Sequence, residues 1–198
     1  MLSLFCALNN LTHGVALWFT QLVKKMLPSL TFVLGGAASG KSQVAENLID
    51  NSGLNPIYLA TAQVWDDEMQ AKVNVHRDRR GPEWTTVNAP LDLATPLAAA
   101  TSDQVILLDC ATMWLTNVML SDTDLPRAQT ELLSALATCA APVVIVSNEV
   151  GQGIVPENAL ARQFREAQGR LNIALAAQAE QVLHVVAGLV RPLKGNGA

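Results

Sequence analysis

The sequence predicts one α/β domain built on a doubly wound, mostly parallel sheet. Short apolar runs alternate with helical patterns along the chain, and the runs lack the polar alternation of half-exposed strands. Half of the 198 residues are hydrophobic and only 15% are charged, which fits a sheet that is buried on both faces. The length fits a single domain whose core is large enough for independent stability.

The predicted strands and helices follow one another from residue 30 onward. Buried strands are predicted over five apolar, β-branched runs, at residues 30–34, 56–60, 105–109, 143–147 and 182–187. Helices are predicted at residues 41–51, 67–80, 91–100, 125–140 and 157–181. Asp66 and Asp124 are expected as N-caps, and Gly169 as a break in the last helix. Ligands of such sheets bind at the carboxyl ends of the strands, so candidate site residues are sought there.

The first predicted strand runs directly into a phosphate-binding pattern. The pattern is G-x4-G-K-S, and its residues are Gly35, Gly36, Ala37, Ala38, Ser39, Gly40, Lys41 and Ser42. Glycines let the backbone aim several N–H groups at one anion, and the helix that follows points its positive end there. Lys41 is predicted to reach the β and γ oxygens of a nucleotide, and Ser42 to bind Mg2+. The setting between strand and helix favours a P-loop NTPase-type fold over a chance glycine-rich turn.

Two other strand ends carry candidate groups. Asp109 ends the third strand after four apolar residues, and P-loop enzymes use such a carboxylate to hold Mg2+ or its water shell. The alternative for Asp109 is a cap of the next turn. Thr61 lies between Ala60 and Ala62 at the end of the second strand. Its hydroxyl could reach a nucleotide, although threonine is ordinary at a strand end.

A basic segment inside the second predicted helix contains the most reactive candidate. His76 is followed by Arg77, Asp78, Arg79 and Arg80, and arginine side chains can bind phosphate oxygens in bidentate fashion. An imidazole beside bound phosphate can act as a base or as a nucleophile. The alternative, which the residues alone support at least as well, is a solvated basic helix end that complements the helix dipole. His184, within the last predicted strand, is expected to be structural.

The fourth strand leads into a loop that contains two glycines and a proline, over residues 147–156. Glu149 in this loop could bind a metal, accept a proton from a substrate hydroxyl or hold the shape of the loop. Arg162, Arg165 and Arg170 follow on the last predicted helix, where one of them could reach a phosphate. The alternative is ordinary surface charge on an amphipathic helix.

Composition excludes some classes of partner. The net charge is −4 and the pI is about 5.3, so no broad basic face for nucleic acid is expected. Cys6, Cys110 and Cys139 show no spacing typical of metal ligands or of a disulfide framework. Free, buried thiols in a reducing, cytoplasmic compartment are therefore predicted.

The amino-terminal segment differs from the rest of the chain. Residues 1–27 are expected to be a mis-called or disordered extension, and residues 28–198 the folded domain. Polar residues interrupt the apolar stretches, and Lys24 and Lys25 come after them, so neither stable membrane insertion nor a secretory signal is predicted. Translation is expected to start at Met26. The alternative is a short amphipathic segment at a membrane surface.

Taken together, these segments resemble the bifunctional adenosylcobinamide kinase / adenosylcobinamide-phosphate guanylyltransferase family of cobalamin biosynthesis. The resemblance covers about residues 30–194. The P-loop by itself indicates only a superfamily. More specific are His76 with Arg80 and Trp84, and the sequence Asn-Glu-Val-Gly at residues 148–151. Further matching segments lie at residues 58–62, 67–69, 107–110, 114–117, 154–158 and 161–170.

The resemblance implies two reactions on one corrinoid. The terminal phosphate of ATP or GTP passes to the aminopropanol hydroxyl of adenosylcobinamide. A histidine then attacks the α-phosphate of GTP, and GMP passes from this guanylyl-histidine to the substrate phosphate. His76 stands at the matching position and inherits the role of the nucleophile. The resemblance further implies Mg2+ at Ser42 and Asp109, a homotrimer, and nucleotide contacts from the P-loop, residues 60–62 and 77–80, Asn88 and Asp109.

Three residues depart from the family pattern. Ala38 stands where arginine is usual, Asn88 where glutamate is usual, and Ile173 where glutamine is usual. The resemblance implies that guanine selectivity and the balance between the two activities are the properties affected by these changes. Two alternatives stay open: a simple P-loop small-molecule kinase without guanylyl transfer, and a non-enzymatic nucleotide-binding module. The intact Lys41, Ser42 and Asp109 argue against the second alternative.

Overall fold

The computed structural model describes residues 27–63 and 80–195. Residues 1–26, nearly all of the predicted extension, lie outside these ranges, as does the predicted helix at 67–80 except for Arg80. Its expected cap, Asp66, lies outside them as well.

The described ranges contain seven strands and five helices. The strands are β1 Leu30–Gly35, β2 Asn55–Ala60, β3 Thr85–Asn88, β4 Gln104–Asp109, β5 Val143–Asn148, β6 Gln181–Val186 and β7 Leu189–Lys194. The helices are α1 Lys41–Asp50, α2 Ala94–Ala99, α3 Ala111–Leu120, α4 Leu125–Thr138 and α5 Ala159–Gln178.

All seven strands form one sheet in the order β3-β2-β4-β5-β1-β6-β7. Every neighbouring pair is parallel except β6 and β7, which pair antiparallel. The predicted α/β class with a mostly parallel sheet is therefore confirmed. The strand β1, which enters the P-loop, lies between β5 and β6, so β5 separates it from the strand that ends in Asp109.

Each helix packs on one of the two faces of the sheet. Which face it covers depends on the direction in which the chain crosses from one strand to the next along the sheet. From β1 to β2 the chain passes through α1, whose Ala45 and Ile49 pack on one face with Val33 and Leu107. The crossovers from β3 onward run the opposite way along the sheet. Helices α2 to α5 accordingly pack on the opposite face, around Phe32. This division is what right-handed crossovers require, and it leaves the carboxyl edge of the sheet open for a site.

Three elements were missed because they lack the pattern of a buried strand or a capped helix. Strand β3 has four residues, three of them exposed, and β7 is exposed along its whole length; both lie at the edges of the sheet. Helix α3 begins after Cys110, whose side chain makes no capping hydrogen bond. Exposed edge strands and uncapped helices carry weak sequence signals.

The predicted break at Gly169 is wrong, because α5 runs without interruption for 20 residues. A side-chain carbon added at Gly169 would meet nothing within 4 Å among the described residues, so this glycine lies on an open face. At such a position glycine destabilises the helix only through its low helix propensity, by about 1 kcal/mol relative to alanine. The surrounding helix tolerates that cost because its opposite face is buried, through Leu171 and Leu175.

Other boundaries moved by a few residues. Helix α2 starts at Ala94 rather than at residue 91, because the Asp92 carboxylate accepts a hydrogen bond from Thr95 N. The last predicted strand includes Ala187, but φ is 51° at Ala187 and 78° at Gly188, so these two residues form the turn between β6 and β7. The predicted N-cap Asp124 is confirmed, since its carboxylate accepts from Arg127 N at 2.8 Å.

The described cysteines, Cys110 and Cys139, are both free, and Cys110 is buried while Cys139 is half-buried. Cys6 lies outside the described ranges. Burial is the main reason that the pKa of the Cys110 thiol rises to about 12, with the Asp109 carboxylate as a second cause. Cys110 is therefore a protonated, unreactive thiol at neutral pH.

No helix in residues 27–63 and 80–195 is long and apolar enough to cross a membrane.

Candidate active site

The loop between β1 and α1 has the backbone shape of an anion cradle. Ala38 and Gly40 adopt left-handed conformations, with φ of 54° and 92°. Ser39 N donates to Gly36 O at 3.3 Å, and Gly188 N in the β6–β7 turn donates to Ser39 O at 2.8 Å. The loop is thus supported from below by the neighbouring hairpin. Its N–H groups and the start of α1 can face a bound phosphate.

The residues of this loop fit a nucleotide phosphate. Among the described residues none hydrogen-bonds to the buried Ser39 hydroxyl, and a buried polar atom without a partner points to a missing ligand. Lys41 Nζ curls over the loop and donates to Gly36 O at 3.0 Å. Burial lowers the pKa of Lys41, because desolvation disfavours the ammonium, while the nearby Asp109 carboxylate opposes this shift. The Lys41 ammonium and the N–H groups of the loop therefore direct positive charge toward the same point, where a phosphate can bind.

The donor groups also fit Mg2+ beside such a phosphate. Ser42 is the second residue of α1 and Asp109 is the last residue of β4. Both side chains are half-buried. A hydroxyl and a carboxylate are oxygen ligands of the kind that Mg2+ accepts, with substrate phosphates and water completing its shell. No group of three or more histidine, cysteine or acidic side chains that could hold a metal occurs within the described ranges. A binding site of protein ligands alone is thus not present in that part of the chain.

Tyr58 and Arg80 join Asp109 at the same edge of the sheet. The Tyr58 hydroxyl donates to Asp109 Oδ2 at 3.5 Å, and Arg80 Cζ lies 3.3 Å from the centroid of the Tyr58 ring. Burial, and next the Asp109 carboxylate, raise the pKa of Tyr58 well above its usual range. The phenol therefore remains a proton donor. The sequence analysis assigned no role to Tyr58. The signal that could have pointed to it is a tyrosine, with its hydroxyl group, inside an otherwise apolar strand.

Thr61 is placed as a link between strand ends. Its buried hydroxyl donates to Cys110 O at 2.8 Å and accepts from Cys110 N at 2.7 Å. Asn117 Nδ2 donates to Thr61 O at 2.8 Å and to Pro90 O at 2.9 Å. The ends of β2, β3 and β4 are tied together by these bonds. The Thr61 hydroxyl thus holds the strand ends in place, and the nucleotide contact expected from the sequence stays a prediction.

Three candidate site residues lie side by side on neighbouring strands of the sheet: Asn88, Ala60 and Asp109. Ala60 pairs with Asn88 on one side and with Asp109 on the other. Neighbouring strands are about 4.8 Å apart, so Asn88 and Asp109 lie on strands about 10 Å apart. Asn88 also borders a groove of about 700 Å³ that is lined by Val87, Ala89 and other apolar residues. Asn88 therefore lies on the edge strand of the sheet, four strands from the strand that enters the P-loop.

A buried polar network holds the start of the loop that follows β5. Gln168 Nε2 donates to Ser147 Oγ at 3.0 Å, and Ser147 Oγ donates to Asn172 Oδ1 at 2.8 Å. Asn172 Nδ2 donates to Asn148 O at 3.2 Å. Glu149 N donates to Gly35 O at 3.0 Å, and the Glu149 carboxylate accepts from Gly151 N. The loop begins against the P-loop, and Glu149 shapes it.

The arginines of α5 contact their own chain. Arg165 donates to the carbonyl oxygens of Gly151 and Ile154. Arg162 donates to those of Pro156 and Glu157, and Arg170 forms an ion pair with Glu166. Two of the three arginines thus brace the loop after β5, a role that sequence reasoning did not foresee, since backbone acceptors leave no sequence signal.

His76, Arg77, Asp78 and Arg79 lie outside the described ranges, so their predicted roles stay predictions. His184 lies half-buried in β6, where it pairs with Leu34 of β1 and Arg191 of β7.

The two adjacent glycines of the loop provide a matched pair of substitutions. A Cβ at Gly35 would lie 2.6 Å from Val185 O and 2.5 Å from Ser39 Oγ, whereas one at Gly36 would meet nothing within 4 Å among the described residues. Gly35→Ala is expected to lower the free energy of unfolding by about 1–3 kcal/mol, because a backbone oxygen cannot move aside cheaply. Gly36→Ala is expected to change it by less than about 0.5 kcal/mol. Urea unfolding followed by circular dichroism measures both; equal effects would contradict the crowding at Gly35.

A parallel sheet with a G-x4-G-K-S loop after one strand, and with a lysine and a strand-end carboxylate at one edge, defines a P-loop nucleotide-binding enzyme. A protein-family model described as cobinamide kinase / cobinamide phosphate guanyltransferase matches residues 31–193. The chain is 44% identical over 168 residues to the bifunctional adenosylcobalamin biosynthesis protein CobP of Pseudomonas aeruginosa, covering 83% of this chain and 96% of that protein. It is 42% identical over 176 residues to the corresponding protein CobU of Salmonella typhimurium, covering 81% and 97%. The chain belongs to the cobinamide kinase / cobinamide phosphate guanyltransferase family.

Solved structures of distant proteins share the fold alone. An ATPase from the type III secretion system of pathogenic bacteria superposes with a TM-score of 0.54 at 9% identity, over 86% of this chain and 60% of that one. A protein from Pyrococcus horikoshii superposes with a TM-score of 0.53 at 8% identity, over 90% and 92%.

Proposed function

We propose that this protein phosphorylates adenosylcobinamide with ATP or GTP and then converts the product to adenosylcobinamide-GDP with GTP. The observation that carries the proposal is an intact phosphate cradle, with Lys41 over it and Asp109 beside it, in a chain of this family. The relatives are named as bifunctional proteins of adenosylcobalamin biosynthesis. Both reactions transfer a phosphorus group between oxygens, so positioning and charge stabilisation supply most of the catalysis.

The kinase step uses the P-loop edge. The β- and γ-phosphates lie in the cradle of residues 35–42, and the Lys41 ammonium offsets the charge that develops on the γ-phosphate oxygens. Mg2+, held by Ser42 and Asp109, would supply further charge stabilisation there. The aminopropanol oxygen of adenosylcobinamide bonds to the γ-phosphorus, the bond to the β–γ bridging oxygen breaks, and the nucleoside diphosphate leaves. The hydroxyl proton passes to a nearby base or to water.

The guanylyl step uses His76 as the nucleophile. An imidazole nitrogen bonds to the α-phosphorus of GTP, the bond to the α–β bridging oxygen breaks, and pyrophosphate leaves. A phosphate oxygen of adenosylcobinamide phosphate then bonds to the same phosphorus, and the neutral imidazole is released. Two easier displacements thus replace one difficult displacement. Arg77, Arg79 and Arg80 contribute positive charge toward the departing pyrophosphate, and Arg80 stands beside Tyr58 close to Asp109.

Asn88 sets the nucleotide preference within this scheme. Asn88 keeps hydrogen-bonding capacity without charge, and it lies at the level of Ala60 and Asp109. An amide in place of a carboxylate loses a charge-assisted hydrogen bond to the guanine N–H groups. We therefore expect the second step to discriminate GTP from ATP less strongly.

We further propose that the protein is a homotrimer in the cytoplasm and that nucleic acid is not one of its partners.

The experiment that tests the function uses the protein with Mg2+ and two labelled substrates. With γ-labelled ATP, label is expected to move to adenosylcobinamide. With α-labelled GTP, acid-labile and base-stable label is expected on the denatured chain, as befits a phosphoramidate of histidine. Kinase turnover without chain label would instead favour the simple small-molecule kinase, with Asn88 as the first suspect. Absence of both would reject the proposed function.

A further inference from the structure

Asn148 ends β5 at the carboxyl edge of the sheet, and its side chain is not used by the scheme above. β5 lies between β1, which enters the phosphate cradle, and β4, which ends in Asp109. In the register of the sheet Asn148 pairs with Gly35, the first residue of the cradle, while Asp109 pairs with Val146 on β5. Neighbouring strands are about 4.8 Å apart. Asn148 is therefore one strand away from the cradle and one strand away from the carboxylate.

The side chain of Asn148 lies on the face of the sheet that α1 covers. Alternate residues of a strand point to the same face. Val146 of β5 and Leu107 of β4 both belong to the core cluster that packs against α1. Asn148 and Asp109 each follow two residues later, so both side chains point to that face. This is also the face on which α1 begins, with Lys41 as its first residue.

Three hydrogen bonds fix the backbone that carries this amide. Asn148 N donates to Thr112 Oγ1 of α3 at 2.8 Å, and Asn148 O accepts from Asn172 Nδ2 of α5 at 3.2 Å. The next N–H along the chain, that of Glu149, donates to Gly35 O at 3.0 Å. The side-chain amide itself forms no hydrogen bond with any other residue in the described part of the chain. A half-buried donor is thus held on a fixed backbone with its bonding capacity unused.

We propose that the Asn148 side-chain amide donates a hydrogen bond to an oxygen of the γ-phosphate during the kinase step. This inference rests on the proposed function, which brings that phosphate to Lys41 over the cradle and to the metal at Asp109. A group that meets both must pass over the strand between them, and Asn148 ends that strand on the same face.

The amide acts by stabilising charge and takes no part in proton transfer. The acceptor oxygen bonds to the γ-phosphorus, the bond to the β–γ bridging oxygen breaks, and Asn148 keeps both of its amide protons. The γ-phosphate oxygens carry negative charge in this transfer, and a donor that is already fixed in place stabilises them without having to reorganise. A neutral amide also adds no charge beside the Asp109 carboxylate.

Nucleotide binding, measured by isothermal titration calorimetry, tests the assignment without turnover. The probes are ADP and the non-hydrolysable β,γ-imido analogue of ATP, which differ by the γ-phosphate. Asn148→Ala is expected to weaken binding of the analogue about tenfold or more, because a hydrogen bond to a charged group is worth at least about one factor of ten. Binding of ADP is expected to change by less than about twofold, since the cradle is intact. Equal losses for the two nucleotides, or no loss for the analogue, would overturn the proposal.

Two further variants serve as a charge test and a matched control. Asn148→Asp keeps the shape of the side chain but replaces the donor by a negative charge, so it is expected to bind the analogue more weakly than Asn148→Ala does. Asn55→Ala removes the same amide from the first residue of β2, at the opposite edge of the sheet, where it binds Asp103 Oδ2 at 3.0 Å. This control is expected to bind both nucleotides as the wild type does. An aspartate variant with wild-type affinity for the analogue would contradict the proposed hydrogen bond.

Titrations with EDTA in place of Mg2+ distinguish a phosphate contact from a metal ligand. The amide oxygen of Asn148 is of the kind that Mg2+ accepts, and the amide nitrogen is the group assigned to the phosphate. A loss of analogue affinity that persists without Mg2+ is the expected result. A loss that occurs only with Mg2+ would make Asn148 a metal ligand and overturn the assignment.

Steady-state phosphorylation of adenosylcobinamide supplies the kinetic readout. Asn148→Ala is expected to lower kcat about a hundredfold, while KM for adenosylcobinamide stays within about twofold, because the amide does not contact the acceptor. A wild-type kcat in this variant would overturn the proposal. A wild type that binds the analogue through Asn148 but does not phosphorylate adenosylcobinamide would reject the proposed function and leave the phosphate contact supported. A wild type that binds neither nucleotide would overturn both.

Discussion

His76→Ala is expected to abolish the covalent guanylyl label while leaving most of the kinase activity. The physical reason is that alanine offers no nucleophile to the α-phosphorus, whereas the γ-phosphate transfer needs the P-loop, Lys41 and Asp109 but no covalent intermediate. The measurement is the amount of chain-bound label from α-labelled GTP, together with phosphate transfer from γ-labelled ATP to adenosylcobinamide.

The control for this prediction is His184→Gln, which removes an imidazole from β6. That variant is expected to label as the wild type does. Label that persists in His76→Ala would show that another residue forms the intermediate. Label that disappears in both histidine variants, together with loss of the circular dichroism signal, would indicate a folding defect instead.

Lys41→Met is expected to lower kcat/KM of the kinase step by about a hundredfold to a thousandfold. The ammonium lies over the cradle, where it is only 9% exposed, and charge stabilisation in such a water-poor place is worth far more than in bulk water. Methionine retains the length and apolar bulk of the chain but not the charge. Single-turnover transfer from γ-labelled ATP to adenosylcobinamide measures the effect on the chemical step.

Folding is expected to survive this substitution. Burial already lowers the pKa of Lys41, which means that the folded state stabilises the ammonium less than water does, so removal of the charge costs little stability. Lys194→Met makes the same change in charge at β7, where the ammonium binds the Ala176 and Ala177 carbonyls. It is expected to leave turnover unchanged. A Lys41→Met protein with more than about a tenth of wild-type kcat/KM would contradict the role assigned to this lysine.

Much of the site was readable in the sequence because its signals are local. The eight residues 35–42 form one continuous pattern, and each of the five predicted strands appears within one or two residues of its observed bounds. Asp109 was singled out as the polar end of an apolar run, and the structure places its carboxylate near Lys41. The predicted break at Gly169 was wrong because a glycine on an open helix face gives the same sequence signal as a glycine at a helix break.

Other parts of the site depend on partners that are distant in the chain. Thr61 and Cys110 are 49 residues apart, and Tyr58 and Asp109 are 51 residues apart. Gln168 reaches Ser147 across 21 residues. No local pattern links the members of such pairs, because their contact depends on which strands are neighbours in the sheet. The place of Thr61 at a strand end was readable in the sequence, but its hydrogen bonds to Cys110 of the neighbouring strand were not.

The sequence by itself determined the α/β class, the phosphate cradle, the positions of the buried strands and the resemblance to the family. These follow from hydrophobic periodicity and from motifs whose chemistry lies within a few residues. Only the tertiary structure decided that β5 separates β1 from β4, that Arg80 stacks on Tyr58 beside Asp109, and that Arg162 and Arg165 brace the loop after β5. The physical reason is that strand order and backbone acceptors arise from packing of the whole chain, and backbone carbonyls are the same in every residue.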